Sequence, residues 1–311
     1  MKRKMLNVPK GGYDGMKGFT IVEFLVAGLL SIIVLIAVVS SYFTSRKLND
    51  AANERLAIQQ DLRNAATLIV RDARMAGSFG CFNMSEHTKK DVVFDVAQKN
   101  RPFSLKGSSA NKLIPIAESL NIGYQGFAQV RPALIFQYGI DDVNASAETT
   151  VVSSCGVISK PGKQIPTLED AKKELKIQNS GKEQNGNIAR QRHVVNAYAV
   201  GRIAGEEGLF RFQLDDKGKW GNPQLLVKKV KRMDVRYIYV SGCPEDAGKE
   251  EQFKYTDKFD KSRDAVTPAG VEVLLDSGLD AKIAASSDNS IYAYRINATI
   301  RGGNVCANRT L

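Results

Sequence analysis

The stretch Gly15–Phe43, "GMKGFTIVEFLVAGLLSIIVLIAVVSSYF", decides how this chain is built. Lys17 and Gly18 precede an almost unbroken apolar series in which Glu23 is the single carboxylate. From Phe24 to Ser45 there is no charged side chain, and about 22 residues at about 1.5 Å each suffice to cross the hydrocarbon of a bilayer. An ionised acid held in that layer costs roughly 2.5–3.5 kcal/mol. Glu23 therefore calls for a partner or a function.

The flanks narrow the choice. A secretory signal has a shorter apolar core, with a small-residue cleavage site after it. Here the basic residues and the glycine come first. Lys2, Arg3, Lys4, Lys10 and Lys17 stand against one acid, Asp14, which places the N-terminus in the cytoplasm by the positive-inside bias. Cleavage after Gly18 would leave the apolar segment on the product and lower the formal charge from +11 to +7. Met5 and Met16 offer alternative starts without altering that mature end.

Neither Gly nor Pro occurs from Leu29 through Ala76. Beyond Arg46 the pattern turns amphipathic: Leu48, Ala52, Leu56, Leu62, Ala66, Ile69 and Ala73 recur mostly three or four apart. Gly77 and Gly80 supply a stop. The spacing predicts one helix over 19–75, roughly 85 Å long. Residues 19–45 would span a membrane, and 46–76 would continue as an amphipathic helix against a head formed by 77–311.

In the head, "ALIFQYGI" (133–140), "TVVSSCGVIS", "HVVNAYAVG", "GLFRFQL" (208–214), "VRYIYV" and "IYAYRINATI" are rich in β-branched and aromatic residues, as strands are. "GLFRFQLDDKGKWGNPQLLV" reads as strand, Asp-Lys-Gly turn and strand. "PTLEDAKKEL" reads as a short helix capped by Thr167 with Asp170 three residues on. The polar segments Lys160–Gln191 and Glu245–Thr267 are expected as surface loops. The predicted class is α+β, a long N-terminal helix packed on antiparallel sheet.

Cys81, Cys155, Cys243 and Cys306 all follow the apolar segment, and none forms a Cys-x-x-Cys. Only His87 and His193 could complete a metal set, so no metal and no cofactor are expected. An even number of widely spaced cysteines outside a membrane anchor fits two disulfides in an oxidising compartment. Three pairings are possible and sequence does not choose among them; Cys81–Cys155 with Cys243–Cys306 is the working expectation.

Catalysis finds little footing. His193 begins an exposed or half-buried strand, and no Ser or Cys nucleophile lies in a recognisable elbow or dyad. The chain is therefore expected not to be an enzyme. A membrane-tethered enzyme would need a concave pocket with converging polar groups, which no motif demands. "DDKGKWGN" lacks the bidentate Glu and spacing of a calcium loop. Nucleic-acid binding is the stronger rival, since "VKKVKRMDVRYIYV" joins five cations to Tyr237 and Tyr239. Strand alternation would set Lys228, Arg232 and Arg236 on one side, with Lys229 and Lys231 on the other. A solvated basic edge strand that deters aggregation explains the same residues.

"KGFTIVEFLVAG" resembles the class III signal of type IV pilin precursors: a basic leader ending in Gly18, Phe19 at the first mature position, Glu23 at the fifth, then a long apolar helix. Val22 and the long leader depart slightly from that pattern. "LRNAATLIVRDARMAGSFGC" resembles the helix end of PilW-type minor pilins, Arg-x-Ala-Gly followed shortly by Gly-Cys. The likeness is close over the first quarter and loose beyond it.

The resemblance implies a pilin-like fold and cleavage of the leader 1–18 between Gly18 and Phe19 by prepilin peptidase, with methylation of the Phe19 amine. It implies that Glu23 pairs with the Phe19 amine of a neighbouring subunit, as a register key. A paired charge recovers much of the cost of a lone one. Other minor pilins, the major pilin, the inner-membrane assembly platform and a tip adhesin are the implied partners. The head would start in the periplasm and end on the pilus at the cell surface, in a tip complex that primes assembly and supports motility, adhesion and DNA uptake. A J-type pseudopilin of type II secretion and a DNA-receptor pilin are the alternatives.

Overall fold

The computed structural model describes residues 18–93, 112–177, 187–241, 252–257, 259, 267–276, 294–301 and 303. Helix α1 runs without a break from Ile21 to Met75. The chain divides into two compact units, Met1–Ala57 and Ile58–Leu311. In the first, every residue from Gly18 to Ala57 is exposed. That stretch contains an 18-residue window apolar enough to cross a membrane.

In the second unit the remainder of α1 becomes a core element. Ile58, Leu62, Ala65, Ile69 and Ala73 form its buried stripe. The amphipathic pattern predicted packing from Leu48 onward, but Leu48 and Leu56 remain exposed, so burial begins at Ile58. Helical spacing puts side chains on one face without saying what lies opposite that face. The helix stops where Gly77 takes φ +79 and its N–H donates to the Gln137 carbonyl at 2.8 Å. A Cβ at Gly77 would meet the Pro115 Cβ at 2.9 Å, so glycine is required twice over.

Fifteen strands follow among the described residues: β1 (Ser78–Phe79), β2 (Phe82–Asn83), β3 (Val92–Val93), β4 (Ile116–Ser119), β5 (Ala128–Gln129), β6 (Ala133–Ile140), β7 (Thr150–Ser153) and β8 (Ile158–Ser159). After α2 (Leu168–Glu174) come β9 (Ala189–Ile203), β10 (Glu206–Gln213), β11 (Gln224–Lys228), β12 (Arg232–Ser241), β13 (Gln252–Thr256), β14 (Gly270–Asp276) and β15 (Tyr294–Thr299). Strands β3 to β11 form a nine-stranded sheet, and β13-β12-β14-β15 a four-stranded one. The expected antiparallel pairing holds throughout, except that β3 and β8 run parallel.

Strand β9 is the spine of the larger sheet. Its Tyr198 faces Leu134 of β6 on one edge and Arg211 of β10 on the other. Alternation along these strands splits the apolar residues between two cores. Leu134, Phe136, Tyr198, Val200 and Leu209 join the α1 stripe and, from the smaller sheet, Met233, Tyr237, Val271 and Val273. Ala133, Ile135, Ala197, Ala199, Phe210 and Phe212 form a second cluster with Tyr124, Phe127 and Trp220.

The Asp-Lys-Gly turn lies between β10 and β11, which pair antiparallel. Helix α2 starts as predicted, with the Thr167 side chain accepting from the Asp170 N–H. The two expected loops hold more order than their polarity suggested. Beyond the expected α2, Lys160–Gln191 includes the start of β9, and Glu245–Thr267 includes β13. Charged residues suit an edge strand as well as a loop.

Candidate functional site

Gly18 and Phe19 precede the first helical residue, and nothing lies within 4 Å of where a Gly18 Cβ would sit. The Thr20 N–H and the Thr20 hydroxyl both donate to the Glu23 carboxylate at 2.9 Å, and the Glu23 N–H donates back to Thr20 Oγ1 at 3.3 Å. This is a reciprocal capping box, in which two donors left without intrahelical partners at the helix start are satisfied. Within the chain itself, then, Glu23 already has a local role. The spacing Thr20-x-x-Glu23 carried that signal, which an account of Glu23 as a membrane acid alone leaves out.

At the other end of α1 lies a carboxylate that sequence reasoning missed. Asp72 is fully buried. Its Oδ2 accepts from Tyr198 Oη at 2.6 Å and Asn196 Nδ2 at 2.7 Å; its Oδ1 accepts from Tyr138 Oη at 2.9 Å and Arg71 Nη2 at 3.0 Å. Arg211 Nη2 stands 3.7 Å away. Strands β6, β9 and β10 thus each place a donor or cation on one acid of α1. Burial, with the Asp72 charge beside it, pushes the Tyr138 hydroxyl up to about 12 and raises Tyr198 further, so both remain protonated donors. Asp72 lies three residues after Ile69 in the buried stripe, and an acid at such a position was the available signal.

The Arg74-x-Ala76-Gly77 run and the following Gly80-Cys81 build the turn that leaves the helix. Strands β1 and β2 pair across Gly80 and Cys81. Cys81 is bonded to Cys155, as the working pairing expected. Both cysteines are solvent-exposed. Cys243 and Cys306 lie outside the described residues, as does the leader segment 1–17.

The basic stretch is not one strand. Strand β11 ends at Lys228, Lys229 takes φ +61, and Arg232 opens β12 in the other sheet. The expected common face of Lys228, Arg232 and Arg236 therefore does not form by alternation. Each has an acid at hand: Lys228 lies 3.9 Å from Glu206, Arg232 pairs with Asp234, and Arg236 lies 3.3 Å from Glu272. Glu272 also meets Arg295 at 3.2 Å.

His193 lies within β9 rather than at its start, and it is buried, where an exposed or half-buried position was expected. Its Nε2 is 3.3 Å from Gln137 Oε1, and its ring lies against Phe79. Burial pushes it down to about 3, so it is neutral at physiological pH. His87 stacks on Phe82 and sits 3.5 Å from Asp91. Among the described residues no three His, Cys, Asp or Glu side chains gather as a metal set. No protein-family model matches this chain, and no curated protein matches it.

Proposed function

We propose that this chain is a minor pilin of the PilW type, anchored by α1 and acting as a component of a tip complex that primes pilus assembly. The observation that carries the proposal is one uninterrupted helix that is wholly exposed and apolar at its start and ends in a buried attachment to a β-rich head. An exposed apolar helix of this length needs lipid or other helices around it. The uncoiled, open backbone at Gly18–Phe19 suits a peptidase, and Glu23 stands within one turn of the terminus that cleavage would create.

In this account the Phe19 ammonium of one subunit and the Glu23 carboxylate of its neighbour neutralise each other inside the membrane. The head then selects partners among the other minor pilins, the major pilin and a tip adhesin. Mass spectrometry of the N-terminus of the protein isolated from cells tests the scheme directly. The expected species begins at a methylated Phe19, and a functional protein retaining residues 1–18 would overturn it. Copurification separates the two assemblies this helix suits. Recovery with pili supports a minor pilin, whereas recovery with a secretion pseudopilus assigns the chain to type II export.

A further inference from the structure

The face of the larger sheet turned away from α1 carries an open cleft of about 510 Å³. This is within the ordinary size of small-molecule sites. Its floor is Ala117 of β4, Ile135 and Gln137 of β6 and Val195 of β9, and its walls are two loops bearing Tyr124 and Trp220.

Both walls are held in place. Gln129 braces the first, accepting from the Ile122 N–H at 3.1 Å and donating to the Ser119 carbonyl at 2.8 Å. Asp215 braces the second, accepting from the N–H groups of Lys217 at 2.9 Å and Lys219 at 2.8 Å. Tyr124 Oη donates to Asn222 Oδ1 at 3.3 Å, tying one wall to the other.

The chemistry of the lining selects its occupant. The Gln137 amide, the polar group of the floor, is already engaged: Nε2 donates to the Ile114 carbonyl at 3.2 Å and Oε1 faces His193. The Ser119 hydroxyl donates to the Asn121 carbonyl at 2.8 Å. Apart from Gln125, whose exposed side chain also lines the cleft, a polyhydroxylated ligand would find these polar side chains already engaged. An apolar body loses nothing. Lys219, an exposed cation, is among the lining residues, and among the described residues no carboxylate lines the cleft. The acids of the same loop are turned to other tasks, Asp215 to the backbone and Asp216 to Arg192 at 3.1 Å.

We infer that this cleft is a binding site for a small organic anion with an apolar or aromatic body, whose carboxylate pairs with Lys219 while its body lies between Tyr124 and Trp220. The site stands apart from the assembly role and holds or fails independently of it.

Trp220 is the only tryptophan of the chain, so its emission reports occupancy directly. The full chain, reconstituted in phosphatidylcholine vesicles, is titrated with 3-phenylpropanoate, 3-phenylpropanamide and 3-phenylpropylammonium. These three probes share one apolar body. A saturable emission change is expected, with the carboxylate roughly three- to five-fold tighter than the amide, as an exposed ion pair allows. The ammonium should be weakest. Lys219→Met should bring carboxylate and amide to equal affinity, and Tyr124→Ala should weaken both. No saturable response, equal affinity for the three probes, or a carboxylate preference that survives Lys219→Met would each overturn the assignment.

Discussion

Asp72 is accommodated inside the protein by four hydrogen-bond donors and a nearby arginine. Removing the acid would strand Tyr138, Asn196 and Tyr198 as buried donors and leave Arg211 without its counter-charge. Asp72→Ala is expected to cost about 3–5 kcal/mol, the range for breaking a buried charged pair. Asp72→Asn keeps an acceptor in place and should cost less. Urea unfolding followed by Trp220 emission gives the order. Equal midpoints for the wild type and Asp72→Ala would deny the carboxylate its structural role.

His193 makes stability depend on pH, and the sign follows from its depressed pKa. The unfolded ring, near 6.5, binds a proton that the folded ring refuses until about pH 3. Between those values the unfolded state holds more protons, so stability falls as pH falls, by about 1.4 kcal/mol per pH unit at most. The contribution is fully present above about 6.5. Comparing the pH slope of the wild type with that of His193→Gln between pH 6.5 and 5 isolates its contribution. A variant with the same pH slope as the wild type would assign the acid sensitivity elsewhere.

At Glu23 two roles, cap and charge, are separable. Glutamine fits a capping box as well as glutamate does but carries no charge. If pairing with the Phe19 amine drives assembly, Glu23→Gln should be processed normally yet lose pili as Glu23→Ala does. Pilus counts by electron microscopy decide, and wild-type numbers in Glu23→Gln would leave only the cap.

Among the elements, α1 was the most legible. Its length follows from the run without Gly or Pro, and its end from Gly77. The level at which it becomes buried was not legible, because Leu48 and Leu56 obey the same spacing as Leu62 and Ile69. The β10–β11 hairpin and α2 were readable for a different reason, since their turn and cap chemistry is local. The break in the basic stretch was hidden, because Lys229 in a left-handed conformation leaves no compositional mark. The disulfide is the element-scale tie whose pairing sequence left open. It closes a separation of 74 residues between the turn after α1 and the turn after β7. Restraint of the unfolded chain should make it worth about 2–4 kcal/mol. A Cys81→Ser, Cys155→Ser double variant should unfold at correspondingly lower urea concentration, and an unchanged midpoint would show that the sheet holds this corner unaided.

For the whole molecule, the division at Ala57/Ile58 separates a segment whose described residues are all exposed from a unit that contains every buried residue described. A chain beginning at Arg46 should therefore remain in the supernatant without detergent and unfold at the same urea midpoint as the full chain. The full chain should stay with membranes through alkaline extraction. A truncated head that precipitates, or melts far earlier, would mean that the first unit contributes to folding.

The sequence alone determined what depends on neighbours along the chain: a long apolar helix that is membrane-competent, its stop, the strands and the capped turns. Helical and strand periodicity, caps and glycines act over three or four residues, and these are visible in a string of letters. Tertiary structure decided the rest. Asp72 meets Tyr138, Asn196 and Tyr198 across 66, 124 and 126 residues. The cleft beneath Trp220 exists only where two distant loops close over one sheet face. Such juxtapositions are set by how sheet and helix pack to bury their apolar faces together, and no local pattern encodes them.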